Sequence, residues 1–201
     1  MLGTWGEVRL SLEQDWSRLR PSSDEGLELG ELRFDETLAA GRFGFDTFDD
    51  ATFPGEGAFG RLDVVRVLES GIEESGLTYG SLLALQAWTV AGNRMVAGLE
   101  VGDLIAGTPG FPRLEGGGLF RLSGFAESEL RGSRLAIGSV RLAREIAGGV
   151  VRNPVFVGGS LELGTVLPEA AAMTWNDAVL NGLIYVSIVS LLGPIFVYVG
   201  L

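Results

Sequence analysis

Asp46, Asp49 and Asp50 place three carboxylates within one short stretch of the chain. Oxygen ligands at that density could hold a hard cation such as Ca²⁺, but the spacing is not that of an EF-hand loop. The simpler role is to cap a strand end and face water. Gly158-Gly159-Ser160 sets a hydroxyl beside two glycines. A nucleophile elbow needs Gly-x-Ser-x-Gly, and Leu161-Glu162 follows instead. Gly116-Gly117-Gly118 lacks the continuation of a dinucleotide fingerprint or P-loop and reads as a flexible loop base. The chain has no Cys and no His. Thiol catalysis, disulfides, Cys/His zinc sites and imidazole acid–base chemistry are therefore excluded. The expectation is a chain without catalytic, cofactor-binding or metal-ligating residues, and not an enzyme.

Such a chain works through its surfaces, so its composition matters more than any single residue. It has 201 residues, a formal charge of −11 and 15 basic residues, all of them Arg. That balance gives no surplus of cations to neutralise phosphates, so nucleic acid is not an expected partner. Glycine occurs 31 times, about twice the usual share of roughly 7%. In helix interiors each would cost about 1 kcal/mol against Ala, whereas curved, closely paired strands use glycine at bends and close approaches. The segment Met1 to Glu7 has no basic region followed by an apolar stretch, so it is not read as a secretory signal. The expectation is a piece of a longer protein, or a start assigned inside a longer gene.

Alternation at period two divides the chain into strand-length pieces. Val8, Leu10 and Leu12 alternate with Glu7, Arg9, Ser11 and Glu13; Phe43 and Phe45 alternate with Arg42, Gly44 and Asp46. Leu62 and Val64 alternate with Arg61 and Asp63, and Met95 to Val101 with Arg94 to Gly102. Val155, Val157, Leu161 and Leu163 alternate with Gly158, Ser160, Glu162 and Gly164. One face is apolar and the other polar or tiny. Turns are expected at Pro21–Gly26, Asp50–Gly57, Glu69–Gly76, Ala91–Asn93 and Ala147–Pro154, and one long connection at about 105–128. The apolar stretch Leu180 to Leu201 has the length of a membrane helix, but Gly193-Pro194 would break it and β-branched residues dominate, so it reads as a hairpin. Arg61, Asp63, Arg94, Glu100, Arg141 and Glu162 would line a wet lumen or form a solvated face. Trp5, Trp16, Trp88, Trp175, Tyr79, Tyr185 and Tyr198 are either interfacial girdle residues or ordinary core aromatics.

Four ordered landmarks carry a resemblance. Asp46 to Gly57, with Asp49, Phe53 and Pro54 between them, resembles a strand–loop–strand signature. Gly116 to Phe125 resembles a long loop that folds back into a lumen, with its tip at Leu122, Ser123, Gly124 and Phe125. Gly158, Gly159 and Glu162 resemble the strand that receives the tip, and Leu192-Gly193-Pro194 a hairpin near the C-terminal end. In order and spacing they resemble the barrel domain of the bacterial surface antigen superfamily, from about residue 38 onward. That superfamily includes BamA-like assembly factors, two-partner-secretion transporters and the barrel fused behind patatin-like phospholipases. The wording around Ser123 and Gly158 is most similar to the patatin-fused branch. The family tip carries Arg where this chain has Ser123, so an ion pair from the tip to Glu162 cannot form.

The resemblance implies an all-β fold, an antiparallel transmembrane β-barrel that is incomplete: residues 1–201 would supply about eight or nine strands of a larger barrel, without its first strands and its final strand. It would sit in the bacterial outer membrane, with lipid and an upstream passenger or periplasmic domain as partners, and the outer-membrane assembly machinery during insertion. The implied function is to anchor or help export that passenger, a patatin-like phospholipase domain outside this chain. A fragment of a BamA-like assembly or secretion protein is the alternative. A soluble, acidic β-sandwich that binds carbohydrate or protein is the third reading.

Overall fold

The computed structural model describes residues 6–19, 32–71, 76–108, 113–147, 154–168, 174–190 and 193–200, without the side chains of 15–19, 32–34 and 175. The turn expected at Pro21–Gly26, Trp5, and the side chains of Trp16 and Trp175 fall outside the described residues, as does most of Ala147–Pro154. Among the described residues there is no α-helix, and none therefore long and apolar enough to cross a membrane.

The described residues form eleven strands: β1 (Gly6–Leu19), β2 (Leu32–Asp46), β3 (Gly57–Ser70), β4 (Thr78–Val90), β5 (Asn93–Ala106), β6 (Leu114–Gly116), β7 (Leu130–Gly132), β8 (Arg134–Ala147), β9 (Val155–Leu167), β10 (Val179–Ser190) and β11 (Gly193–Gly200). Nine make one antiparallel sheet in the order β1-β2-β3-β4-β5-β8-β9-β10-β11, and β6 and β7 make a separate two-stranded ribbon. Every neighbour in the large sheet is also the next large strand in sequence, so hairpin closure suffices to build it. The turn between β4 and β5 shows the local logic. Ala91 (φ 51°) and Gly92 (φ 77°) both take the left-handed region, as a two-residue type I′ hairpin turn requires. Leu180 to Gly200 is the expected hairpin, β10–β11. The long connection runs further than sequence spacing suggests, from 107 to 133, because the β6–β7 ribbon lies within it.

Alternation sets two chemically distinct faces. Leu10, Leu161, Ile184 and Val197 are 83%, 63%, 59% and 72% exposed. With Leu62, Leu82, Leu99, Val140, Leu163 and Val186 they form an apolar outer face that no second layer covers among the described residues. The opposite, inner face carries polar and small residues, buried apolar side chains such as Leu135, Phe156 and Leu183, and the long loop. Glu162 and Ser187 are fully buried there, and Ser160, Asn181 and Ser133 nearly so.

The sheet curls around this inner face. The β2–β3 turn places Phe53 with its ring centroid 4.0 Å from that of Phe156 on β9, and close to Tyr185 on β10 and Phe196 on β11. Those strands stand far from β2 and β3 in the sheet order, so only curvature brings them together. The two buried apolar clusters both lie on the inner face under the loop. One joins Phe53, Ala143, Phe156, Leu183 and Tyr185; the other joins Leu114, Leu122, Leu135 and Ile137. Among the described residues β1 and β11 each pair along one edge only.

Candidate functional site

The loop tip is built by backbone geometry that its own sequence does not favour. Phe120 (φ 64°) and Leu122 (φ 66°) are non-glycine residues in the left-handed region, at a cost of about 1–2 kcal/mol each. Such conformations persist where surrounding contacts over-determine them. Here Leu122 is fully buried against Leu114, Leu135 and Ile137. Phe120 meets Tyr185 and Phe196 edge-on at 5.5 and 5.7 Å. Gly118 and Phe125 close the tip by an N–H···O=C bond of 3.0 Å, and Phe125 N–H returns to Leu122 O at 3.0 Å.

Polar contacts then fix the tip to the sheet. Ser123 N–H donates to Glu162 Oε2 at 2.6 Å, and Ser160 Oγ donates to Glu162 Oε1. A backbone amide thus meets the buried carboxylate, and the Ser123 hydroxyl is buried without a partner among the described residues. Gly124 lies against Asn181: a Cβ there would stand 2.2 Å from Asn181 Oδ1, so only glycine lets the tip approach β10 this closely. Arg121 makes a two-point bond to Glu100 on β5 (2.8 and 2.7 Å) and reaches Glu115 O at 2.8 Å. At the loop's base Arg113 pairs with Glu36 on β2, one bond being 3.1 Å. One loop is therefore tied to strands at both flanks of the curled sheet.

Gly158 leaves room on the inner face for Tyr185: a Cβ there would lie 2.6 Å from its ring. Gly159 does not turn toward the loop, because alternation sends it to the outer face. Of the strand residues singled out from sequence, Glu162 contacts the tip directly and Gly158 supports the aromatic residue beside it.

The acidic turn acts as a scaffold. Asp46 Oδ1 accepts from Phe48 N–H at 2.9 Å, Asp49 Oδ1 from Gly55 and Glu56 N–H at 2.8 and 3.0 Å, and Asp50 Oδ1 from Thr52 and Phe53 N–H at 2.8 and 2.9 Å. These bonds hold the Asp49 carboxyl below its ordinary pKa, the Glu56 amide contributing most. Arg94 steadies the same turn through Phe53 O and, at 3.8 Å, Asp50. Pro54 is buried beside Phe53. Gly57 (φ 102°) restarts the strand in a conformation open to glycine. The turn's product is the inward position of Phe53.

By sequence the tyrosines fit an interfacial girdle and a core equally. Tyr185 is 2% exposed on the inner face, Tyr198 pairs opposite it, and Tyr79 packs on the Leu122 cluster. None of the three belongs to an outer girdle. The parity of β10 carried the signal, since Tyr185 shares its face with Asn181 and Ser187. The Phe53–Phe156 stack and the Arg121–Glu100 pair had no local signal, because they join segments far apart in sequence.

Among the described residues the arrangement is a loop held by a buried carboxylate on one face of a curled sheet, with an apolar surface on the other. No protein-family model matches the chain, and a search of curated proteins finds none similar to it.

Proposed function

We propose that this chain is wall and plug of an outer-membrane β-barrel, most similar to the barrel behind patatin-like phospholipases, and that it anchors or helps export an upstream passenger. The observation that carries this reading is the inverted alternation. Apolar side chains face outward along β1, β3, β8, β9, β10 and β11, while a carboxylate, serines and an asparagine are buried inside. In water that order leaves unspent about 1.5–3 kcal/mol for each large apolar side chain. Against hydrocarbon it is the favourable order, since lipid-facing and interior residues alternate along each barrel strand.

Strand length supports the same reading. β8 has 14 residues, or roughly 45 Å at about 3.3 Å per residue. Tilted by about 45°, it rises roughly 32 Å, close to the ~30 Å hydrocarbon core. The longest connection, 107–133, lies at the end opposite the two-residue 91–92 turn, as long loops and short turns do in such barrels.

The soluble sandwich reading needs a second sheet over the apolar face, and the described residues supply only the β6–β7 ribbon, whose Leu114 packs on the inner side. A BamA-like assembly or secretion protein shares the same wall and differs in what precedes it.

Membrane fractionation with heat-modifiability tests the wall. The chain is expected in the detergent-extracted membrane fraction, migrating faster in unheated than in heated detergent gels. Extraction without detergent as a stable monomer would overturn the reading. Mass spectrometry of the native protein, pulled down with antibody to residues 116–125, identifies the passenger. A phospholipase-like segment favours anchoring, and periplasmic binding domains favour the assembly reading.

A further inference from the structure

We infer that the inner face holds a binding site for a small oxyanion, a free phosphate or a phosphate monoester, centred on Arg141. A cavity of about 250 Å³ lies between the loop and the sheet, lined by Arg61, Glu100, Arg121, Ser139 and Arg141 and covered by Phe120. Arg141 Nε is buried with no hydrogen-bond partner among the described residues. One side of its guanidinium is occupied by the Phe120 ring, 4.6 Å away. Phe120 supplies attraction for the charge but no hydrogen-bond acceptor for the guanidinium fork.

The neighbouring carboxylates are already engaged. Glu100 is taken by both arms of Arg121. Asp63 is shared by two cations, Arg42 through Oδ1 and Arg61 through Oδ2, the latter at 2.9 Å with an angle that makes no hydrogen bond. Glu162 is held by Ser123 and Ser160. Three arginines, Arg61, Arg121 and Arg141, therefore line a cavity whose one lining carboxylate, Glu100, is already paired, in a chain whose net charge is −11. A buried cation without an acceptor calls for an anion or ordered water. The planar guanidinium fork of Arg141, a second guanidinium at Arg61 and the Ser139 hydroxyl match the oxygens of a tetrahedral oxyanion better than a spherical halide. The cavity opens on the face opposite the apolar surface, so a free anion, not the headgroup of a surrounding lipid, is the ligand.

The test is calorimetric titration of inorganic phosphate, then sulfate, into the full chain folded in detergent micelles, with ionic strength held constant by chloride. Wild-type protein is expected to bind one phosphate saturably in the millimolar range or tighter, and chloride is expected not to compete at equal concentration. Arg141→Gln should weaken binding by about tenfold or more, the scale of one charge-assisted contact, with Arg141→Lys and Arg61→Gln between. Circular dichroism confirms that each variant keeps its sheet, and if Arg141→Gln does not fold, the lysine and Arg61 variants carry the comparison. No saturable binding by the wild-type chain overturns the inference. Equal binding by the folded variants also overturns it, and means that water alone serves Arg141.

Discussion

Replacing Glu162 should release the loop without dismantling the sheet. Its carboxylate is fully buried and accepts from Ser123 N–H at 2.6 Å and from Ser160 Oγ. A hydrogen bond to a charged group contributes about 1.5–3 kcal/mol, and a buried donor left unsatisfied costs about 1–3 kcal/mol. In Glu162→Ala, Ser123 N–H loses its acceptor in a part-buried contact, so tip docking should weaken by about 3 kcal/mol, or roughly a hundredfold in the opening equilibrium. Glu162→Gln keeps an acceptor oxygen for Ser123, and its amide can donate to Ser160 Oγ. Only the charge is lost there, so the expected effect is about 1 kcal/mol, or roughly fivefold. Native-state hydrogen exchange at the Ser123 and Phe125 amides reads these changes directly, while β3 and β4 amides should keep their protection. Equal protection at Ser123 in wild-type and Glu162→Ala proteins would refute the reasoning. It would mean that Leu122 and Phe120 hold the tip without the carboxylate.

Three further substitutions probe other parts of the account. Leu161→Arg, at the centre of β9 and on the outer face, should lower folding stability in bilayers by about 2–4 kcal/mol. In a water-exposed setting the same change would stay within about 0.5 kcal/mol, so denaturant titration in vesicles separates the two surroundings. Gly124→Ala puts a methyl group where Asn181 Oδ1 lies and should cost about 1–3 kcal/mol of loop docking, seen as faster exchange at Ser123. Asp49 has a depressed pKa in the folded turn. Its contribution to stability is therefore present above the ordinary carboxylate value of about 3.9 and is lost as pH falls through the lower folded value. Asp49→Asn should flatten that acid limb of the stability profile, and an unchanged limb would count against the capping role.

Much of the architecture was legible because hairpin-connected strands announce themselves locally. The alternation of Val8, Leu10 and Leu12 with charged residues, the Ala91-Gly92 turn and the β-branched run before Gly193-Pro194 each specify structure within a few residues. Strand ends were less legible: β2 begins well before Arg42 because Leu38-Ala39-Ala40-Gly41 has no alternation, yet it pairs along both edges. Alternation also cannot say which face meets water, since the same pattern serves a sandwich and a barrel wall. Around the loop tip, Glu162 could be singled out by likeness to a known pattern, and its partner is an amide with no side-chain signature. Phe53 meeting Phe156, and Phe120 covering Arg141, depend on the curl of the whole sheet, which no local stretch encodes. Left-handed Phe120 and Leu122 were hidden for the same reason, because tertiary contacts impose that backbone against their own preference.

The claim on which the rest depends is that the apolar outer face meets lipid. The absence of native cysteine makes single-site labelling clean. Leu161→Cys and Ser139→Cys, each labelled with an environment-sensitive fluorophore and reconstituted in vesicles, report on the two faces. The account predicts a blue-shifted Leu161 probe quenched by lipids with brominated acyl chains, and a Ser139 probe that they do not quench. Two probes equally accessible to aqueous quencher and indifferent to brominated lipid would contradict it.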